Sequence, residues 1–371
     1  PTVGYYSLQY ATSGIEQSQD AFLNGSDSRL LSQRISGLIS GRTPQGGSVE
    51  LTLDPVAQQV AYLVAMLVAN ARGGEGTYTV FAWTQAVYLL PYAVLVVPLA
   101  TSASPRLAAA AADRVGFAAL SSATTRAVLV AGGLGAAALV AVAPAVTAVF
   151  AALSGGGEAA SVVTAMSGAL VRMAVGVVAY GLLFHASRIL FALERGRAAV
   201  IGLSTGWLGV AAAAVVLTAA VARRDPEPPL GSVATVHALG TAVSLGMVAG
   251  AVLLLLLVRR AAGPGSLAGL QRSGGVLAGA AVLGGAGGHL TTLVVAGLPL
   301  PWHRGPGLGS IATYLEVGVV RAAVAAFVGG AVALVVVGVA VLVADRSTLV
   351  AARAGAASPG PATPAAPRPA A

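Results

Sequence analysis

The sequence predicts an all-α, polytopic membrane protein, a bundle of about eight transmembrane helices that follows a small polar segment. Of the 371 residues, 56% are hydrophobic and only 9% are charged, and the mean hydropathy is +0.83; soluble domains carry about 25% charged residues. Eight apolar stretches follow one another from residue 56 to residue 344, and most exceed the roughly 20 residues that cross a hydrocarbon core. Because lipid offers backbone N–H and C=O groups no partner, such stretches must be helices.

These apolar stretches are the predicted membrane spans. The first is the weakest, because it is short and carries Gln58 and Gln59. The second contains Pro91 and Pro98, which we expect to kink it. The fourth is too long for one straight crossing and should tilt or protrude. The predicted spans are residues 56–71, 77–100, 126–151, 162–193, 198–222, 231–258, 274–299 and 316–344.

Adjacent glycines predict where these helices pack closely. A helix without a side chain on one face lets the backbone of its neighbour approach, and such contacts drive helix association in lipid. Glycine pairs of this kind occur at residues 132–133, 284–285, 287–288 and 329–330.

Two polar segments flank the predicted spans. In residues 1–55, a strand-like alternation from Val49 to Leu53 follows a Gly-rich turn, and Asp54-Pro55 is typical of a helix start. The tail, residues 347–371, is rich in Pro and Ala and is predicted to be disordered. We therefore predict a small polar α+β segment over 1–55, a transmembrane domain over 56–346 and a tail over 347–371.

The charged residues exclude several classes of function. The net charge of +8 would suggest nucleic acid in a soluble protein, but here the arginines stand between apolar stretches, where the positive-inside rule places them. All 21 basic residues are Arg, and the absence of Lys excludes a P-loop, a Schiff base and a Ser-x-x-Lys nucleophile. The chain has no Cys, and no His, Asp or Glu cluster has the spacing of a metal site. We expect no cofactor, no metal and no nucleic-acid partner.

The distribution of arginines predicts the topology. The loops 101–125, 194–197 and 259–273 and the tail are Arg-rich, whereas the alternate loops are close to neutral or acidic. The Arg-rich set is therefore expected to be cytoplasmic. Eight crossings then place both chain ends inside, whereas a first span that fails to insert leaves seven crossings and an external N-terminus.

Residues 76–107, GTYTVFAWTQAVYLLPYAVLVVPLATSASPRL, resemble the MurJ/MviN family of lipid II flippases. The resemblance lies in the small-residue turn, the aromatic helix start, the mid-helix proline and the closing Pro-Arg-Leu. Residues 184–197, FHASRILFALERGR, are similar to a later helix end of that family. The resemblance covers about residues 56–346, which would be the last eight of the family's fourteen helices.

The flippase resemblance implies one lobe of a multidrug/oligosaccharidyl-lipid/polysaccharide exporter fold in the bacterial cytoplasmic membrane. It implies that the partner is lipid II, an undecaprenyl-pyrophosphate-linked peptidoglycan precursor, and that the protein is a transporter rather than an enzyme. A lobe without its counterpart would be an incomplete flippase.

Residues 5–62 resemble the non-catalytic N-terminal region of class B penicillin-binding proteins. The resemblance lies in residues 5–16 (YYSLQYATSGIE), 23–25 (LNG) and 46–59 (GGSVELTLDPVAQQ). The transpeptidase motifs are absent, and two of the three need Lys, so a transpeptidase fragment is the least favoured interpretation. That region normally lies outside the membrane, which disagrees with eight crossings. A truncated or chimeric gene is our preferred explanation. The alternative is a fusion acting as a non-transporting scaffold that docks peptidoglycan synthases.

Three polar residues of the fourth span are candidate contacts along a substrate path. Arg172 lies about three turns into the span, where ionisable groups are functional candidates, although it can instead snorkel to the outer interface. His185 and Arg188 lie three residues apart near the cytoplasmic end of the span, on one face of the helix, and are candidates for contacting phosphate. The alternative for Arg188, anchoring at the cytoplasmic interface, is favoured by the positive-inside rule.

Gln85, Glu316 and Arg321 are the remaining candidates. Gln85-Ala86 stands where the best-known flippases of the family carry an Asp-Arg pair, and this departure removes a cation from the expected cavity. Trp83 and Tyr88 beside it are expected to belong to the interfacial belt or the packing. Glu316 and Arg321 open the last span, and anchoring at the membrane surface is the favoured interpretation for both.

Overall fold

The computed structural model describes residues 6–7, 11–12, 66, 68–154, 162–224, 230–297 and 311–345. The chain divides into two compact units, Pro1–Leu63 and Val64–Ala371. The described part of the first unit is an antiparallel pair of two-residue strands, β1 (Tyr6–Ser7) and β2 (Ala11–Thr12).

The described part of the second unit is helical, which confirms the predicted all-α membrane bundle. Seven of its helices are long and apolar enough to cross a membrane, because α1, α2 and the turn between them form one span of 34 residues. The first predicted span, 56–71, lies mostly outside the described residues. The helices are α1 (Thr77–Pro91), α2 (Val97–Ala110), α3 (Arg114–Leu153), α4 (Ala165–Ala192), α5 (Gly196–Arg224), α6 (Leu230–Ala262), α7 (Leu270–Gly297) and α8 (Ile311–Ala344).

Several helices extend beyond the apolar stretches that predicted them. The largest difference is in α3, which begins at Arg114 rather than near residue 126 and runs for 40 residues. Asp113 caps it, because its carboxylate accepts a hydrogen bond from the backbone N–H of Val115 at 3.0 Å. Hydropathy marks the segment that crosses hydrocarbon, whereas a cap marks where the helix starts.

The prolines of the second predicted span interrupt it without ending it. Pro91 closes α1, a π-helical turn covers Tyr92–Val96, and Pro98 occupies the first turn of α2. Proline has no N–H and clashes with the carbonyl four residues earlier, and the wider π-helical turn accommodates such a break. The interruption expected here is therefore a π-helical turn within a continuous membrane-crossing helix.

Helix α4 lies at the centre of the bundle. It packs against α3 on one side and α6 on another, and its buried residues include Met173, Val177 and Leu183. The Ser244 hydroxyl of α6 donates to the carbonyl of Arg172 at 2.6 Å and accepts from the N–H of Gly176 at 3.0 Å. One hydroxyl thus joins the backbones of two helices.

The last two helices, α7 and α8, pack together and against α3. The Thr292 hydroxyl of α7 lies 2.8 Å from the Ala141 carbonyl of α3 and 3.3 Å from the Ala325 carbonyl of α8. His289 Nδ1 lies 2.9 Å from the Val140 carbonyl and donates to it, because a carbonyl can only accept. These polar contacts fix which helices are neighbours.

In each predicted glycine pair, at least one glycine lies at a close helix contact. A Cβ on Gly132 would lie 3.1 Å from the Cα of Val178, and one on Gly284 would lie 2.9 Å from the carbonyl oxygen of Ala333. A Cβ on Gly288 would lie 2.5 Å from the Gly329 carbonyl oxygen.

A second set of close contacts joins α5 and α6. Gly206 faces Gly246 and Gly250, and a Cβ on Gly250 would lie 2.7 Å from the Cα of Gly206. The spacing of Gly202 and Gly206, and of Gly246 and Gly250, is Gly-x-x-x-Gly on both helices. This spacing places glycines one turn apart on the same face, which lets two helices touch over more than one turn.

We expect the Gly250→Ala variant to be less stable by about 1–3 kcal/mol, as for overpacking elsewhere. The matched control is Gly287→Ala, because a Cβ at Gly287 has no neighbour within 4 Å. The measurement is the temperature at which half of the detergent-purified protein stops eluting as a monodisperse species. Equal transition temperatures for the two variants would show that the α5–α6 contact does not stabilise the bundle.

Candidate functional site

Three connections lie at one end of the bundle: α2 to α3 (111–113), α4 to α5 (193–195) and α6 to α7 (263–269). They overlap the longer loops that the sequence predicts to be Arg-rich, and most of the arginines lie on the adjoining helix ends. We call this end of the bundle the Arg-rich end. The last of these lies on the start of α3, because the Ser122 hydroxyl donates to the Ala268 carbonyl at 2.8 Å. The arginines at or near this end include Arg106, Arg114, Arg126, Arg188, Arg195, Arg197, Arg259, Arg260 and Arg272.

A cavity of about 560 Å³ opens between α2, α4 and α5 near the Arg-rich end. Its walls are mostly apolar, and Arg188 is the charged residue among them. We call it the Arg188 cavity. It is lined by Ser104, Ala108, Phe184, Ser187, Arg188, Phe191, Ala192 and Leu203.

The side chain of Arg188 points back along α4 rather than out past its end. Its guanidinium carbon lies 4.7 Å from the ring centroid of Phe184, one turn earlier in the helix. Side chains in a helix lean towards the N-terminus, so a residue near the C-terminal end of α4 leans into the bundle. This geometry differs from the extended side chain that anchoring in the interface requires.

Arg188 forms no hydrogen bond and no ion pair with any of the described residues. Its contact with Phe184 is a cation–π interaction, which contributes about 0.5–2 kcal/mol depending on desolvation. The half-buried guanidinium therefore retains donors for an anion.

Aromatic rings continue from the Arg188 cavity into the bundle. The ring centroids of Tyr92 and Tyr180 are 4.3 Å apart, and those of Tyr92 and Phe184 are 5.7 Å apart in an edge-to-face arrangement. Trp207 of α5 lies 6.0 Å from Tyr180. Tyr92 opens the π-helical turn, so the turn after Pro91 carries the ring that packs against Tyr180 and Phe184 of α4.

The structure separates His185 from Arg188. His185 is fully buried, and its Nε2 lies 3.0 Å from the Thr124 hydroxyl of α3. Its Nδ1 has no hydrogen-bond partner in the part of the chain that the structure describes. The shared-face prediction for the two residues is therefore not realised at the cavity, because His185 faces α3 while Arg188 faces α2 and α5.

Arg172 lies near the opposite end of α4 and is exposed. Its Nη1 donates to the Gly168 carbonyl one turn earlier at 2.8 Å. The same N-terminal lean that draws Arg188 inward directs Arg172 towards the start of the helix, as the snorkelling alternative expects. His237 of α6 lies beside it, because a Cβ on Gly168 would meet the side chains of both His237 and Arg172.

The remaining predicted residues lie elsewhere. Gln85 is half-buried on α1; its neighbour Trp83 stacks at 5.4 Å from Phe150, and Tyr88 is 2% exposed. Both aromatic residues thus have packing roles. Arg321 is half-buried, with an Nε that lacks a hydrogen-bond partner among the described residues. The side chain of Glu316 lies outside the described residues.

The predicted residues do not form one cluster. Arg172 and Arg188 lie at opposite ends of α4, and Gln85 lies on α1. Within the described ranges, no group of three His, Asp or Glu side chains has the arrangement of a metal site. The other residues of the Arg188 cavity were not predicted from the sequence. The i, i+4 spacing of Tyr180, Phe184 and Arg188 does place these three residues on one face of the helix, and it indicates that Arg188 lies beside aromatic rings.

The first 49 residues match the family model of the penicillin binding protein A dimerisation domain. Over 62 residues, the chain is 47% identical to the peptidoglycan D,D-transpeptidase PbpA of Mycolicibacterium smegmatis. It is 42% identical to PbpA of Mycobacterium tuberculosis over the same length. These matches cover 17% of the chain and span 13% of the length of the curated relatives. They confirm the N-terminal resemblance.

Among solved structures, the chain is similar to the lipid II flippase MurJ in an inward closed conformation. The superposition has a TM-score of 0.45 and 15% sequence identity, and it covers 74% of this chain and 50% of that one.

We expect the Thr124→Val variant to destabilise the bundle by roughly 0.6–1.7 kcal/mol, the range for hydrogen bonds between membrane helices. Valine keeps the shape but leaves both nitrogens of His185 unpaired. Thr205→Val is the matched control, because the exposed Thr205 hydroxyl bonds only within its own helix, to Ile201 at 2.8 Å. Heating each variant in detergent and measuring the surviving monodisperse fraction tests this, and identical curves would contradict a stabilising role for the pair.

Proposed function

We propose that residues 56–346 form a transport lobe of a lipid II flippase in the bacterial cytoplasmic membrane. The observation that carries the proposal is the segment 76–107, whose sequence resembles the flippase family and which forms one membrane-crossing helix with a π-helical turn after Pro91. A helix with such a break beside an Arg-bearing cavity is the kind of element that rearranges during transport.

The chemistry of the proposed substrate requires two different surfaces. A pyrophosphate-linked head group requires cations, and the planar guanidinium fork of Arg binds phosphate through two hydrogen bonds. A polyprenyl chain requires a continuous apolar surface. An apolar groove of about 710 Å³ between α3, α4 and α7 offers such a surface, with His289 as its titratable lining residue.

Within this proposal, Arg188 is the first candidate contact for phosphate, because it is half-buried and has no hydrogen bond or ion pair with any described residue. Arg172 and Gln85 are candidates for later positions along the path. Arg321 and Glu316 are candidates at the membrane surface. His185 would act only through α3, as a positioning residue for α4.

The proposed role is transport rather than catalysis. The chain contains no Lys, and the penicillin-binding resemblance carries none of the transpeptidase motifs. The proposed partners are the membrane and lipid II, without nucleic acid or cofactor.

The match to a dimerisation domain favours a second candidate, a membrane scaffold for cell-wall synthesis. In this alternative, residues 1–55 contact a peptidoglycan synthase while 56–346 anchor the chain, with 347–371 as a tail. A domain of this kind on a membrane bundle brings a partner to the membrane surface without moving a lipid.

We expect that the chain alone does not restore growth to cells depleted of their lipid II flippase. In two-lobe transporters the site lies between lobes, so one lobe supplies half of a cavity. Co-expression with the first six helices of a MurJ flippase should restore growth, whereas those six helices alone should not. Growth with the chain alone would contradict the one-lobe interpretation, and a failure of the two halves together would contradict the flippase proposal.

Co-purification of PbpA with the chain tests the scaffold alternative. Full-length PbpA is co-expressed with the tagged full chain and, as the control, with a chain that begins at Val64. Capture of PbpA by the full chain at several times the level of the control supports the scaffold. Equal capture by both chains contradicts it.

A further inference from the structure

We propose that the Arg188 cavity binds the phosphate of an anionic membrane lipid that lies in the leaflet at the Arg-rich end. The lipid chain would lie along Phe191 and Leu203, which line the same cavity. This is a resident lipid site, and it does not require that the chain transport anything.

The first reason to expect an anionic ligand is that the charge of Arg188 lacks a counter-charge among the described residues. A guanidinium at the edge of the hydrocarbon without a counter-charge is unfavourable, so such residues pair with an anion or extend to water. Arg188 is half-buried with its guanidinium over Phe184, and it has no acidic partner among the described residues. An anionic ligand would supply the missing charge in place.

The second reason is the position of Arg188 near the end of α4, at the level of lipid head groups. It precedes the end of α4 at Ala192 by four residues, which is about 6 Å at 1.5 Å per residue. For a helix whose Arg-rich end lies at the membrane surface, this depth corresponds to the border between head groups and acyl chains, where lipid phosphates lie. Basic pockets between helices at this level recognise anionic lipid head groups.

The third reason is the chemistry of the residues that line the cavity. The Ser104 hydroxyl donates to the Ala100 carbonyl at 2.9 Å, and the Ser187 hydroxyl donates to the Phe184 carbonyl at 2.7 Å. Both hydroxyl protons are therefore in use, and the guanidinium is the strong donor that the lining leaves open. Phe191 is 48% exposed and adds an apolar wall beside the cation. A cation with an apolar wall matches a phosphate attached to a hydrocarbon chain better than it matches a free phosphate ion.

The contrast with Arg172 supports this assignment. Both arginines belong to α4 and lean towards its N-terminus, but Arg172 is thereby directed to the nearest helix end and bonds to the Gly168 carbonyl. Only Arg188 is drawn away from the nearest end and into a cavity.

The test is native mass spectrometry of the full chain in detergent, titrated separately with phosphatidylglycerol, undecaprenyl phosphate, phosphatidylcholine and inorganic phosphate. We expect both anionic lipids to be retained in preference to phosphatidylcholine, and inorganic phosphate not to be retained. Arg188→Gln should lower retention of the anionic lipids about tenfold, as for loss of a charge-assisted hydrogen bond. Arg195→Gln is the matched control, because Arg195 is exposed in the adjacent connection and its charge is equally lost.

Equal retention of phosphatidylcholine and the anionic lipids by the unchanged chain would overturn the proposal. So would equal loss of lipid from the Arg188→Gln and Arg195→Gln variants. If Arg188→Gln does not purify as a monodisperse species, Arg188→Lys replaces it, because Lys keeps the charge but lacks the planar guanidinium fork. This variant should retain less anionic lipid than the unchanged chain, and unreduced retention would overturn the proposal. Preference for one anionic lipid over the other identifies the source of the phosphate. Growth rescue does not enter this measurement, so the flippase proposal can fail while the lipid site stands.

Discussion

Direct contact between helix backbones is the interaction on which this bundle depends. In lipid, the tails around a helix are as apolar as its Leu and Val side chains, so burying those side chains against another helix gains little. Stabilisation must come from close packing, and close packing requires small residues. Gly206 and Gly250 between α5 and α6, and Gly288 and Gly329 between α7 and α8, provide it by leaving no room for a Cβ.

Most of the side-chain hydroxyls donate a hydrogen bond to a carbonyl of their own helix, so few of them determine which helices are neighbours. Thr84 and Thr147, for example, donate to carbonyls four residues earlier at 2.7 and 2.9 Å. This arrangement satisfies a hydroxyl in hydrocarbon without recognising a neighbour. The hydroxyls that bond across elements include those of Ser244, Thr292 and Thr124, the last paired with His185, and such bonds determine which helices lie next to each other.

The sequence predicted the membrane spans well because the requirement for apolar side chains acts on each helix separately. It did not predict helix ends such as that of α3, where a cap at Asp113 starts the helix well before the apolar stretch. It predicted a break near Pro91 but not its π-helical form, in which Tyr92 packs against Tyr180. It identified Arg172 and Arg188 but could not distinguish their environments, because the cavity beside Arg188 is formed by α2 and α5 together with α4.

The Thr292 hydroxyl has a single proton and two carbonyl neighbours, one on α3 and one on α8. Moving α3 away would break the shorter of these two bonds and leave the hydroxyl only the longer one to α8, and hydrocarbon offers no water to replace the loss. The terminal hairpin α7–α8 is therefore coupled mechanically to α3, and the three helices should shift as a single rigid body. Any hinge in this half of the bundle has to lie outside that body.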